Sequence, residues 1–277
     1  MRMSINRSPG KSIGGELLFL VRPWLIRAAG IVGFGAIILG FSADSANAQN
    51  PAEMPASEAC LTANSDLSLG ARLPRTQARL RSGDTLKIVA VGSSSTVGLW
   101  EFRSAATYPE VMRQEILRLQ PNARISITNS GRVGDTIPDN LARFERDVFA
   151  FRPDLVVWQL GTNDIAWGGR ANDELNNQII QGVRALKARG ADVILMDLQY
   201  APMILASASY SKVQTMIGDA ARHERVGLFS RFALMHKSIE AGLSPGALVS
   251  WDRLHNSKEG YDCIGRALAR AILASTR

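Results

Sequence analysis

From Leu86 onward, short apolar runs alternate with longer segments whose apolar residues recur at helical spacing. LKIVAV (86–91) is rich in β-branched residues and ends at Gly92. RISITNSG (124–131) alternates as a half-buried strand does, and VGLFS (226–230) is a short run of the same kind. DLVVWQLG (154–161) and ADVILMDLQ (191–199) are almost continuously apolar, the pattern of strands covered on both faces. Between them, 108–120 places Val111, Ile116 and Leu119 roughly on one side, with Pro109 suited to a first turn. The segment 138–150 opens at Pro138 and stops before Pro153, and 172–190 is closed by Gly190. Further helices are expected at 210–224, 231–241 and 258–275. Strands alternating with helices predict an α/β fold: a three-layer α/β/α sandwich over about 83–277, with a central parallel sheet of about five strands. Residues 49–82 carry Pro51, Pro55, Gly70 and Pro74 and little periodicity. They read as an N-terminal extension over the surface, with room for one short helix.

The first 48 residues break this pattern. A basic stretch (1–27) precedes the uncharged apolar run AAGIVGFGAIILGF (28–41), and then Ala46-Asn47-Ala48 fits a small-x-small cleavage rule. This order predicts a secretory signal peptide over 1–48, cleaved after Ala48, and a periplasmic or secreted product. The alternative is a retained membrane anchor, but the run is shorter than the roughly 20 residues a membrane span needs, which favours cleavage, and no stable span is expected after it. The chain's net charge is +7, and removing 1–48 leaves 27 basic and 23 acidic residues, a net of +4. With no long Lys/Arg run and no basic stripe with interleaved aromatics, nucleic acid is not an expected partner. The two cysteines, Cys60 and Cys263, both survive cleavage, and in an exported protein they are expected to pair. The three histidines are scattered, so no metal site is expected. His223 and His236 read as surface or core-edge residues.

In parallel sheets of this kind, ligands sit at the carboxyl ends of the strands. Four polar segments fall there or before the last helix: Gly92-Ser93-Ser94-Ser95-Thr96-Val97-Gly98, Asn129-Ser130-Gly131-Arg132-Val133-Gly134-Asp135-Thr136, Gly161-Thr162-Asn163-Asp164 and Asp252-Arg253-Leu254-His255. A serine hydroxyl needs a base to become a nucleophile, and His255 can supply one. A carboxylate must orient that imidazole and stabilise its cation, a task open to Asp252 three residues earlier. The oxyanion of a tetrahedral intermediate needs fixed donors. The Ser94 and Gly134 backbone N–H groups and the Asn163 side chain are the candidates. Each segment has a plainer reading when taken alone: a polar serine turn, turn residues at Asn163 and Asp164, a helix cap at Asp252, and loop shaping at Asp135. The joint occurrence of all four, in order, favours catalysis.

Together these segments resemble the motif blocks of the SGNH hydrolases, also called the GDSL family: Gly-Asp-Ser-x-Thr-x-Gly, a glycine block, Gly-x-Asn-Asp and Asp-x-x-His. The resemblance covers about 92–255. It implies a flavodoxin-like fold, hydrolysis or transfer of acyl esters without a cofactor, a nucleophile at Ser94, oxyanion donors at Ser94, Gly134 and Asn163, and an acid and base at Asp252 and His255. The family usually has Asp where this chain has Ser93, and that departure puts the geometry of the nucleophile loop and the rate in question. The expected activity is hydrolysis of a small or carbohydrate ester through an acyl-enzyme. Transfer to a hydroxyl of an envelope polysaccharide, and non-catalytic carbohydrate binding, are the alternatives. Loops at 97–107, 165–171 and 199–210 would form the pocket walls, with Trp100, Trp167 and Tyr200 as candidate lining.

Overall fold

Five parallel strands form one sheet: β1 (Thr85–Gly92), β2 (Arg124–Gly131), β3 (Leu155–Gln159), β4 (Asp192–Met196) and β5 (Gly227–Phe229), in the spatial order β2-β1-β3-β4-β5. The structure is a computed structural model, and it describes residues 55–101, 104–169 and 171–277. The expected signal peptide over 1–48 and its cleavage after Ala48 lie outside the described residues. The helices are α1 (Ala56–Ala63), α2 (Pro74–Ser82), α3 (Ser94–Val97), α4 (Tyr108–Leu119), α5 (Ile137–Asp147), α6 (Thr162–Ala166), α7 (Asp173–Ala188), α8 (Pro202–Leu205), α9 (Tyr210–Glu224), α10 (Arg231–Glu240), α11 (Pro245–Leu248) and α12 (Lys258–Ala274).

The strand order is the doubly wound, flavodoxin-like one, with its switch point between β1 and β3. Every residue of β3 is buried, as its unbroken apolar run requires, whereas edge strand β2 keeps partly exposed positions. α4 and α12 pack together on one side of the sheet, and α7 lies between α5 and α9 on the other. Trp158 of β3 is fully buried and its indole N–H donates to Asn140 of α5 at 2.9 Å, so the largest core side chain also satisfies its polar atom. β3 and β4 are shorter than their apolar runs. After β3 the chain leaves the sheet at Gly161, whose φ is +92°, and the last residues of each run become loop at the end where a site is expected.

The extension holds two helices rather than one, and it contributes to the core. Cys60, Leu61, Leu69 and Leu73 are buried, and the Leu69 carbonyl accepts the Leu228 N–H at 2.9 Å along the edge of β5. Cys60 of α1 is disulfide-bonded to Cys263 of α12 across a Cα–Cα distance of 6.0 Å, the pairing expected. α2 has no apolar stripe to announce it, since Thr76 is its one buried residue. It docks through polar contacts: Arg75 and Arg79 each donate to Asp154 Oδ1 at 2.9 Å, and the Thr76 N–H donates to Asp192 Oδ2 at 2.7 Å. Among the described residues, no helix is long and apolar enough to cross a membrane.

Candidate active site

β1 runs out at Gly92 and the chain turns at once into α3, with Ser93 extended (φ −96°, ψ −154°) as the residue before its first turn. Ser94 opens the helix and is 4% exposed. Its Oγ lies 2.7 Å from His255 Nε2, and His255 Nδ1 lies 2.5 Å from Asp252 Oδ2. The Asp-x-x-His spacing explains the second contact. Asp252 Oδ1 accepts the backbone N–H groups of Leu254 and His255, both at 3.0 Å, so the turn that fixes the carboxylate also presents the imidazole. A Ser250 N–H to His255 carbonyl bond of 2.8 Å closes the loop. The capping and catalytic readings of Asp252 therefore do not compete, because one oxygen serves the backbone and the other faces the ring.

Burial works against charge on Asp252, but the hydrogen bonds from His255, Trp100 and the two backbone groups outweigh it and hold the carboxyl down to about 2. An ionised Asp252 keeps a proton on His255 Nδ1 and leaves the Nε2 lone pair for Ser94. That arrangement can take a proton from the serine hydroxyl and later return one.

The loops after β2 and β3 are joined to this centre. Asn129 donates to the Thr96 carbonyl at 2.7 Å, and a Cβ on Gly131 would run into the backbone of Thr96 and Val97, so the nucleophile turn packs directly on β2. Gly134 adopts φ +86° with open space where a side chain would stand. Asp135 accepts from Arg143 at 2.6 Å and Asn140 at 2.9 Å, while its carbonyl accepts the Asn163 amide at 2.9 Å. Gly134 and Asn163 are thus linked through one residue, and Asp135 does shape its loop. Arg143 also donates to the Gly92 carbonyl at 3.1 Å, tying that loop to the nucleophile strand. Asp164 Oδ1 accepts the Ile137 N–H at 3.0 Å, and burial pushes this carboxyl up.

Ser93 has a specific partner that sequence reading missed. Gln159, at the end of β3, accepts from the Ser93 N–H at 2.8 Å, the Ser93 hydroxyl at 3.0 Å and the Thr96 hydroxyl at 3.2 Å. Its signal in the chain was a lone polar residue closing the run LVVWQ. Trp100 lines a cavity as its loop position implies, and it also donates its indole N–H to Asp252 (Nε1 to Oδ2, 2.6 Å), a contact with no local trace in the sequence. Tyr200 instead packs against Phe232 and His236, at ring-centroid distances of 5.0 and 4.7 Å. His223 and His236 sit beside Glu224 and Glu240, away from the Ser94 contact.

Two cavities of about 580 Å³ each border the loops. One is lined by Leu99, Trp100, Pro109 and Ile127, the other by Ile165, Ala166, Met203 and Ser209. The Met203 N–H donates to the Arg253 carbonyl at 3.2 Å, which anchors the second wall to the Asp252–His255 loop. Trp100, Val133, Trp167 and Trp251, four of the six large apolar side chains exposed among the described residues, belong to these same loops. No group of three His, Cys, Asp or Glu is placed to hold a metal ion among the described residues.

A serine–imidazole–carboxylate chain at the carboxyl end of a doubly wound sheet is the layout of a hydrolase, and the comparisons with known proteins give the class as carboxylic ester hydrolase. The chain belongs to the non-GDSL lipase-like family, whose model matches residues 59–277. It is 30% identical over 168 residues to an acetylxylan esterase of Geobacillus stearothermophilus, covering 55% of this chain and 74% of that protein. It is 22% identical over 188 residues to an arylesterase of Vibrio mimicus, covering 68% and 88% of the two chains. Among solved structures, a variant of the Geobacillus acetyl-xylooligosaccharide esterase superposes with a TM-score of 0.59 at 25% identity, over 68% of this chain and 94% of the other. A two-domain esterase active on acetylated mannans shares the fold, with a TM-score of 0.64 at 20% identity, over 76% and 56% of the two chains.

Proposed function

We propose that this protein is an exported serine esterase of the SGNH/GDSL type that cleaves an acyl ester, with acetylated carbohydrate as its substrate class. Ser94 Oγ attacks the ester carbonyl carbon while His255 Nε2 takes the hydroxyl proton. Asp252 balances the imidazolium, and the oxyanion accepts hydrogen bonds from the Ser94 and Gly134 N–H groups and the Asn163 amide. On collapse, His255 protonates the departing alcohol and an acyl-enzyme remains on Ser94. Water then attacks that ester, losing its proton to His255, and on collapse His255 returns the proton to Ser94 Oγ as the acid is freed. The observation that carries this reading is the continuous contact from Ser94 Oγ through His255 to Asp252.

Acetylated sugars are supported by the relatives that act on acetylxylan and by the exposed tryptophans around the site, since apolar patches of that kind mark ligand surfaces. Export is supported by the signal-like N-terminal pattern and by the disulfide, a bond of oxidising compartments. Hydrolysis of p-nitrophenyl acetate and its longer-chain relatives, beside Ser94→Ala, tests the mechanism. A loss of about 10⁴-fold or more in kcat is expected, and a fully active Ser94→Ala would end the proposal. Release of acetate from acetylated xylo-oligosaccharides tests the substrate class. A mature N-terminus at Gln49 in the periplasmic or culture fraction tests the export.

A further inference from the structure

Asp252 Oδ2 has two side-chain donors. One is His255 Nδ1 and the other is the indole N–H of Trp100, at 2.6 Å. With Oδ1 held by two backbone N–H groups, each carboxylate oxygen is bound from two sides. Rotation of the carboxylate about its bond to Cβ would break all four contacts, so the indole supplies part of what keeps Oδ2 against the imidazole.

Trp100 reaches that position at a backbone cost. Its φ is +72°, a left-handed conformation that a bulky non-glycine residue rarely adopts. Such conformations persist where surrounding contacts over-determine them, and they concentrate at functional sites. Here the contacts come from the nucleophile turn itself. The Leu99 N–H donates to the Ser94 carbonyl at 3.0 Å, and the Glu101 N–H to the Gly98 carbonyl at 2.9 Å. One loop therefore presents the Ser94 hydroxyl to one end of the imidazole and an indole donor to the carboxylate at the other end. The ring also stands edge-on to His255, with centroids 6.4 Å apart at 84°, and Trp251 covers it from outside at 5.1 Å.

We infer that Trp100 is a positioning residue for ester cleavage: its indole N–H fixes the Asp252 carboxylate and shares its charge, which sets how strongly that carboxylate holds the imidazolium form of His255. The inference rests on the reading of Ser94, His255 and Asp252 as the reacting set. Removing the donor concentrates charge on Oδ2, so the imidazolium proton is held more tightly and the acid limb of the rate profile moves to higher pH. The other titratable groups around the pair are Glu101 and Arg253, beside it in the chain, and Tyr261 of α12, whose hydroxyl donates to the Leu99 carbonyl at 3.2 Å. Burial pushes the Tyr261 phenol up, and the charges of Asp252 and Glu101 add to the rise, so it stays neutral across the acid limb. All three remain in place when the indole is replaced, so a comparison of variants isolates the donor.

The experiment is kinetics of Trp100→Phe and Trp100→Gln in the full protein, with p-nitrophenyl acetate from pH 4 to 9. Trp100→Phe keeps an aromatic ring against Trp251 and removes the donor. Its kcat is expected to fall about tenfold, the scale of one charge-assisted hydrogen bond, with KM little changed and the acid limb displaced upward by about 0.3–0.5 pH unit. Trp100→Gln, which restores an N–H donor without adding a group that titrates in this range, should recover part of both. Unchanged kcat and acid limb, or a change in KM alone, would overturn the inference and leave Trp100 as a substrate-facing ring. A second measurement needs no variant to fold. In wild-type protein labelled at the tryptophan indole nitrogens, one N–H resonance should lie downfield and move through the acid limb as His255 titrates. Indole signals that all ignore that titration would overturn the inference as well. Retained activity in Ser94→Ala would instead defeat the underlying reading, whatever the indole signals show.

Discussion

The substitution Ser93→Asp would restore the residue usual in proteins with this motif, and the structure predicts that it harms this one. Ser93 is 3% exposed and donates its hydroxyl to Gln159 Oε1, an acceptor already shared with the Ser93 N–H and Thr96. A carboxylate there would face that acceptor, losing a hydrogen bond worth roughly 0.5–1.5 kcal/mol and adding a buried charge. If the Gln159 amide turned to present its NH₂, the Ser93 N–H and the Thr96 hydroxyl would lose their acceptor. Asp197 provides an internal gauge for the charge. Burial raises its carboxyl to about 6, despite donors from Phe232, Ser230 and Gln214 and the nearby charge of Arg231. A carboxyl at 93 would meet fewer donors, so the penalty at pH 8 should reach about 3 kcal/mol. For a chain of this size that lowers Tm by about 6–12 °C. An acid whose folded-state pKa is raised destabilises progressively as pH rises through that value. The deficit should therefore be smaller at pH 5, where the protonated group can donate to Gln159. Thermal melts of the variant and the wild type at pH 5 and pH 8, with kcat on p-nitrophenyl acetate, test this. An unchanged Tm at pH 8, or a higher kcat, would refute the reasoning.

Asn163→Ala should lower kcat by about 10²–10³ with a small effect on stability, measured with the same ester substrate and a melt. Reduction of the Cys60–Cys263 disulfide, which closes a sequence separation of 203 residues, should cost about 2–5 kcal/mol and lower Tm by about 5–15 °C in a scan with and without reductant. The raised carboxyl of Asp197 means that the folded state binds an extra proton between the ordinary carboxylate range and about pH 6. Its contribution to stability should fall by up to about 3 kcal/mol as pH rises through that window. Urea titrations at pH 4.5, 5.5 and 6.5 should show a decline that is absent in Asp197→Asn. Asp252 has the opposite sign: its depressed carboxyl stabilises the fold above the ordinary carboxylate range, and that contribution should disappear as pH falls toward about 2.

The parts of this molecule that were legible in the chain share one property: local period or local spacing determines them. The buried runs of β3 and β4 announced covered strands, and their alternation with helical segments implied the doubly wound sheet. The three-residue spacing of Asp252 and His255 is itself a turn, so the pair could be read as a unit. What escaped were interactions whose partners lie far apart and leave no periodic trace. α2 docks by ion pairs to Asp154, 75 and 79 positions away, on a segment with no apolar stripe. Trp100 meets Asp252 across 152 positions, and Ser93 meets Gln159 across 66. The last case shows how such a pair changes the meaning of a visible feature. Serine at 93 stood out as a departure from a motif, which suggested a weakened site. Beside Gln159 it is half of a matched donor–acceptor pair, buried at the ends of β1 and β3 and bonded to the turn that carries Ser94. An acid fits at 93 only if the residue at 159 offers a donor in place of an acceptor. The two positions should therefore tolerate exchange together and resist it singly, so that a double-mutant cycle at 93 and 159 gives a coupling energy well above the few tenths of a kcal/mol expected of independent sites.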